Sequence, residues 1–417
     1  MEDNRIKSYG YRWVILALYS LITAIIQIQW LTFAPIAREA KQFYGVGSFE
    51  IDLLSMIFLG VFIVMAIPAS YVIDTYGTRV GVGIGAFLAG SLGFLKGLLA
   101  SDYSFVIFCQ IGLAIAQPFI INAVTKVSVL WFPLKERATA VAIGTLAQFL
   151  GIIAVMIGTP LLIGGEEPDP SKIPQTVMTY GILSLAGAAL FLLFFREKPP
   201  SSPSVNGEDS KIQVFQGLKH ILSRREMQKA LLLFFIGLGI FNALSTCIDQ
   251  ICEKKGLTME QTGIVGGILL ISGIAGGVVF PPVSDAIGKR RPFLVLAMLG
   301  FLPGILLLAF AKDYSLLLAG SFLIGFFLLG AGAPIGFQYC AEITSPAPES
   351  SSQGILLLIG QISGIAFIVG INTLGSEEFM RVFIVLSVLN AILSFFLKES
   401  PMMESNAVKN TAAALHK

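Results

Sequence analysis

The chain has 417 residues, of which 55% are hydrophobic and only 13% charged, and its mean hydropathy is +0.81. Soluble domains carry about 25% charged residues, so a water-soluble globular domain is excluded. A formal net charge of +2 does not mark a nucleic-acid partner.

The N-terminal MEDNRIKSYGYR runs straight into a full-length apolar stretch, unlike a short leader with a small-residue cleavage site, so no cleavable signal peptide is expected. Twelve apolar stretches follow, at 11–37, 51–73, 80–100, 104–131, 138–163, 177–195, 230–251, 261–287, 293–311, 314–343, 354–374 and 379–397. Each is long enough to cross a bilayer as a helix. The reading is an all-α membrane protein of twelve transmembrane helices in two pseudo-symmetric six-helix bundles. Its parts are an N-terminal bundle at 1–195, a cytoplasmic linker at 196–229, a C-terminal bundle at 230–397 and a disordered tail at 398–417. The linker opens Pro/Ser-rich and polar, as a flexible segment does, and continues through 212–229 as a candidate amphipathic surface helix. Cys109, Cys247, Cys252 and Cys340 have no metal-type spacing and read as small apolar residues. No metal and no cofactor is expected.

Lys and Arg set the orientation. With both termini in the cytoplasm, Arg5, Lys7, Arg12, Arg79, Lys135, Arg137, Lys289, Arg290, Arg291, Lys398 and the seven basic residues of the linker fall inside. Arg38, Lys41, Lys96, Lys172, Lys254, Lys255, Lys312 and Arg381 fall outside. The bias favours cytoplasmic termini, in a plasma or inner membrane.

Two of the inside turns match. SYVIDTYGTR carries Asp74, Gly77 and Arg79, and PPVSDAIGKRR carries Asp285, Gly288, Lys289 and Arg290. The offset, 285 − 74 = 211, is half the chain. Asp can pair with charge at a neighbouring helix end, and Gly permits the tight turn. Each turn resembles the signature loop of major facilitator transporters, Gly-x-x-x-Asp-(Arg/Lys)-x-Gly-x-(Arg/Lys). The opening Gly is Ser70 or Pro281, and the basic residue after Asp is Thr75 or Ala286. The weakened charge network implies a cytoplasmic gate that opens more easily. The resemblance implies parallel repeats with a substrate site between halves near the midplane, working by alternating access.

FYGVGSFEIDLLSM, IPASYVIDTYGTR, VSVLWFPLKERATA and GFQYCAEITSPAPESSSQG resemble the feline leukaemia virus subgroup C receptor-related (FLVCR) branch of that superfamily. The branch is associated with choline and ethanolamine transport and with haem export. Its choline site is built around a Trp in an aromatic–Gln–Trp stretch, which Ile28-Gln29-Trp30 matches with Ile in place of the aromatic. The position of the branch's second cage residue, a Tyr, is Asn242, and a Gln of its eleventh span corresponds to Gln361.

The residues agree in part on their own. Gln29 and Trp30 sit in a run free of charge from Val14 to Ala37, where a carboxamide is costly unless it faces protein, water or a solute. Trp30 as an interfacial anchor is the competing reading. Adding 212 to Trp30 reaches Asn242, and Gln148 and Gln361 are 213 apart. Trp30, Gln148, Asn242 and Gln361 therefore form the expected substrate site, with Gln29, Gln117, Asn122 and Gln338 behind them. Helix–helix hydrogen bonding is the alternative role for each. Asp74, Gly77, Arg79, Asp285, Gly288, Lys289, Arg290 and Glu342 are the expected gating residues. Asp249 and Glu342 lie near span ends and are the candidates for ion coupling, while Lys126 is expected to snorkel to the cytoplasmic surface.

A site without a central carboxylate suits a cation held by Trp and dipoles, moved as a uniport. The alternatives are a haem or other metabolite exporter, or a proton-coupled carrier of a neutral solute such as a vitamin. With only His220 and His416 in the chain, no span offers an imidazole to haem iron. No nucleophile–base set or phosphate loop points to an enzyme. The expected partners are a small-molecule substrate and membrane lipids, with the chain a monomer.

Overall fold

A computed structural model describes residues 9–133, 136–165, 167–200, 221–345 and 349–400. Most of the expected linker features, the tail beyond 400, His220 and His416 lie outside the described residues. Among the described residues are twelve helices long and apolar enough to cross a membrane. The chain divides into two compact units, Met1–Ser210 and Lys211–Lys417.

The first unit holds six spans: Tyr11–Tyr44, Ser48–Tyr76, Thr78–Leu98, Tyr103–Trp131, Thr139–Leu162 and Pro170–Phe194. The first runs seven residues beyond the expected end, because it is broken rather than finished at Leu31. The α-helix Tyr11–Leu31 gives way to a 3-10 turn, Ala34–Ile36, and resumes as Ala37–Tyr44. Thr32 turns its hydroxyl back onto the Ile28 carbonyl at 2.8 Å, and Pro35 has no N–H to continue the ladder. The second and third spans meet at Gly77, whose φ of +93° an L side chain rarely adopts. Asp102 caps the fourth span by accepting from the Ser104 N–H at 2.8 Å.

The second unit holds Arg225–Thr246, Met259–Ile287, Arg291–Phe310, Tyr314–Thr344, Ser352–Leu374 and Ser376–Phe395. Its first helix also breaks, at Cys247, and resumes as Ile248–Glu253. A capping box fixes the start of the eighth span: Thr258 accepts from the Gln261 N–H, and Gln261 accepts from the Thr258 N–H at 3.1 Å. Gly288 ends that helix in the left-handed region, φ +69°. In the tenth span Ile324–Gly332 is wound as a π-helix. There Gly325 packs against the Leu269 backbone and Gly330 against Gly276, leaving no room for side chains. Backbones that close are the small-residue packing of membrane bundles.

Candidate functional site

In the first unit, Gln27 Nε2 donates to Gln148 Oε1 at 2.9 Å, and Gln117 Nε2 donates to Gln27 Oε1 at 3.4 Å. Three carboxamides from the first, fourth and fifth spans thus form one chain. Gln148 stays half-buried, whereas Gln27 and Gln117 are buried. Gln27 was not among the residues expected from sequence. The available signal was its spacing: Gln27 and Trp30 are three apart and share a helix face.

Trp30 is 6% exposed, and its indole Nε1 donates to the Ser55 carbonyl at 3.1 Å. Ser55 returns the bond, its hydroxyl donating to the Trp30 carbonyl at 3.2 Å. This reciprocal pair ties the last turn of the first helix to the second span, so the indole's polar edge is satisfied by protein. Gln29 lies on another face. It is fully enclosed, and its Nε2 donates to the Tyr180 carbonyl at 3.2 Å and to Ser184 Oγ at 2.8 Å. Asn122 stands apart from the amide chain and donates to the Ala66 carbonyl and Ser70 Oγ.

The second unit repeats the amide arrangement. Asn242 Nδ2 donates to the Gly360 carbonyl at 3.1 Å and reaches Gln361 Oε1 at 3.5 Å. In each unit, then, a carboxamide of the first span meets one of the fifth. In this pairing Gln27, rather than Trp30, is the counterpart of Asn242. Asp249 is buried at the break after Cys247. Gln338 is exposed and donates to Glu342 Oε1 at 3.2 Å.

The two Gly turns are built alike, with a part the sequence reading missed. Glu197, just past the sixth span, accepts from the Thr78 N–H at 3.0 Å, the Thr78 hydroxyl at 3.1 Å and the Arg79 N–H. Glu399, just past the twelfth, accepts from the Arg290 N–H at 2.8 Å and the Arg291 N–H at 3.2 Å. Each carboxylate sits on the N-terminus of its unit's third span, where orphan N–H groups and the helix dipole favour an anion. The Arg79 side chain takes no part in these bonds. Lys126 donates to the Ile73 and Asp74 carbonyls at 2.9 and 3.0 Å and lies 3.6 Å from Asp74 Oδ1. It therefore caps the C-terminus of the second span.

In the second unit the cation at this turn is Arg290, which binds side chains rather than helix-end carbonyls. Its guanidinium meets Asp285 Oδ1 at 2.5 Å, Ser284 Oγ at 3.1 Å and Glu342 Oε1 at 3.0 Å. Burial opposes its charge, but the hydrogen bonds to Asp285 and Glu342 outweigh that and lift its pKa above the ordinary arginine value.

One expectation needs correcting. Lys96, placed with the outer-loop cations, is 0% exposed inside the first unit. It lies close enough to a helix end that snorkelling outward and turning inward read the same in a sequence.

Comparison with known proteins fits this geometry. The model of the Major Facilitator Superfamily matches residues 15–367, with a second match at 250–415. The chain belongs to the major facilitator superfamily. Solute carrier family 49 member A3 of Xenopus tropicalis is 27% identical over 384 residues, covering 88% of this chain and 79% of that protein. Choline/ethanolamine transporter flvcr2a of Danio rerio is 26% identical over 413 residues, covering 94% and 87%. Among solved structures, a bacterial homologue of the human lysosomal transporter Spinster superposes with a TM-score of 0.72 at 15% identity, covering 94% of this chain and 98% of that one. The chain is thus a multi-pass facilitator-superfamily transporter with the major facilitator fold, and it is similar to named choline/ethanolamine transporters.

Proposed function

We propose that this transporter moves a small polar or cationic organic solute, choline- or ethanolamine-like, by alternating access. The recognition residues are, in the first unit, Trp30 and the Gln148–Gln27–Gln117 chain and, in the second, the Asn242–Gln361 pair. The observation that carries the reading is the repeated amide pairing of first and fifth spans. A carboxamide in a membrane helix is costly unless a partner or a solute takes its bonds, and here the same arrangement occurs once in each repeat. The half-buried Gln148 and Gln361 keep polar atoms free for a solute hydroxyl or amine. Trp30, with its N–H already held by Ser55, would offer its π-face to a cationic head. The names of the choline/ethanolamine transporter relatives support the same chemical class. Both termini are proposed to lie in the cytoplasm, with the Gly77 and Gly288 turns on that side.

The reading is tested with purified protein in proteoliposomes. Radiolabelled choline and ethanolamine should enter saturably and compete with each other, and each should raise the melting temperature of the detergent-solubilised protein by mass action. Absence of both effects for both amines rejects the substrate class.

A further inference from the structure

Lys96 lies near the C-terminal end of the third span, fully enclosed. Its Nζ donates to Gln110 Oε1 at 3.1 Å and stands 5.7 Å from the centroid of the Phe33 ring. Gln110 has little freedom to turn. Its Nε2 donates to the Leu54 carbonyl at 3.0 Å and the Gln29 carbonyl at 3.4 Å, so its oxygen is the end presented to Lys96. An ammonium has three protons to place. Here one carboxamide oxygen and one ring face receive it.

The titratable groups on the surrounding elements are Cys109 and Tyr103 on the fourth span, Glu50 and Asp52 on the second, and Tyr180 on the sixth. Arg38, Glu39, Lys41 and Tyr44 lie beyond the break in the first. Among the described residues, no carboxylate forms an ion pair with Lys96. An enclosure without counter-charge holds an uncharged amine more cheaply than an ammonium.

The cover over this amine is the one irregular part of the first span. Phe33 sits between the helix ending at Leu31 and the 3-10 turn Ala34–Ile36, and its ring packs edge-on against Tyr44 at 6.0 Å. A few non-helical residues at an element boundary are where a chain absorbs a hinge rotation. A swing of 32–44 about that break would carry Phe33 off Lys96 and admit water.

We propose that Lys96 is a proton-binding site gated by the break in the first span. With the segment down, the amine is enclosed and neutral. With the segment raised, water reaches it and –NH2 takes a proton from hydronium, giving –NH3+ and water. The charged form then opposes closure until the proton returns to the same side. Acidity on that face therefore favours the raised segment, and one step of transport follows pH through a single proton. This departs from the expectation of a uniport, and places the titratable group at Lys96 rather than at Asp249 or Glu342. It rests on contacts within the first unit, so it stands or falls independently of which solute is carried.

The test is hydrogen–deuterium exchange of the full-length protein in detergent at pH 6 and pH 8, corrected for intrinsic exchange rates, following peptides within 30–46. One linked proton can shift an opening equilibrium by at most about tenfold per pH unit. Exchange of this segment should rise severalfold on acidification in the parent and stay level in Lys96→Met. Gln110→Glu supplies a counter-charge that keeps the proton on in both positions, and should also flatten the response. A parent with no pH response overturns the proposal. So does an undiminished response in Lys96→Met or, should that variant lack a cooperative melt, in Gln110→Glu. Choline is absent from the experiment, so a failed uptake assay cannot be mistaken for failure here.

Discussion

Glu197 offers a quantitative check on how the bundles are clamped. Its carboxylate accepts two backbone N–H groups and one hydroxyl at the start of the third span. Replacing a side-chain N-cap with Ala typically costs about 1 kcal/mol, and up to about 2. The charge at a helix N-terminus adds about 0.5 kcal/mol, less when screened. Because Glu197 is half-buried, Glu197→Ala should cost about 1.5 kcal/mol. In a unit of this size each kcal/mol corresponds to about 2–4 °C, so a fall of about 3–6 °C is expected. Glu197→Gln keeps one acceptor oxygen and should lose less than half of that. The twin, Glu399→Ala, lacks the hydroxyl partner and should lose about 1 kcal/mol. The assay is thermal unfolding of the purified protein, with the exposed neighbour Lys198→Ala as control. Equal melting temperatures for Glu197→Ala and the control would refute the clamp.

Three further outcomes are expected. Gly77→Ala must hold φ +93° with a Cβ 2.6 Å from Glu197 Oε1, so it should destabilise by about 1–2 kcal/mol, read in the same melt. Adding Glu197→Ala to it should cost less than the sum of the two single changes. Glu342→Ala leaves a buried guanidinium with Asp285 as its one remaining ion-pair partner among the described residues and should cost about 3 kcal/mol. Unchanged stability there would mean that the Arg290 cluster is solvated. A double-mutant cycle of Gln27→Leu and Gln148→Leu should show coupling of about 0.5–1 kcal/mol in stability. Strict additivity would show that the 2.9 Å contact carries no energy.

The fold was largely legible because its signals are coarse. Long apolar runs and the Asp-x-x-Gly turns 211 residues apart each survive errors of a few residues. The site was legible only in part, since it depends on which way a side chain turns. Gln29 and Trp30 are adjacent, so a helix sends them about 100° apart. One is spent on Tyr180 and Ser184, while the other ties the first helix to Ser55. Gln27 was overlooked although it carries the amide chain. Glu197 and Glu399 read as the start of polar linker and tail, because nothing in a local pattern shows that a residue 119 positions away needs a cap. Lys96 had the same ambiguity, being near enough to a span end to look like a loop cation.

The central claim is that an indole and paired carboxamides recognise a small amine, and uptake of radiolabelled choline and ethanolamine by proteoliposomes carrying the parent or Trp30→Ala tests it most directly. The account predicts saturable uptake by the parent and roughly tenfold weaker apparent affinity in the variant, matching the loss of about 1–2 kcal/mol of cation–π attraction. Identical uptake by the two proteins, or none of either amine by the parent, would contradict it.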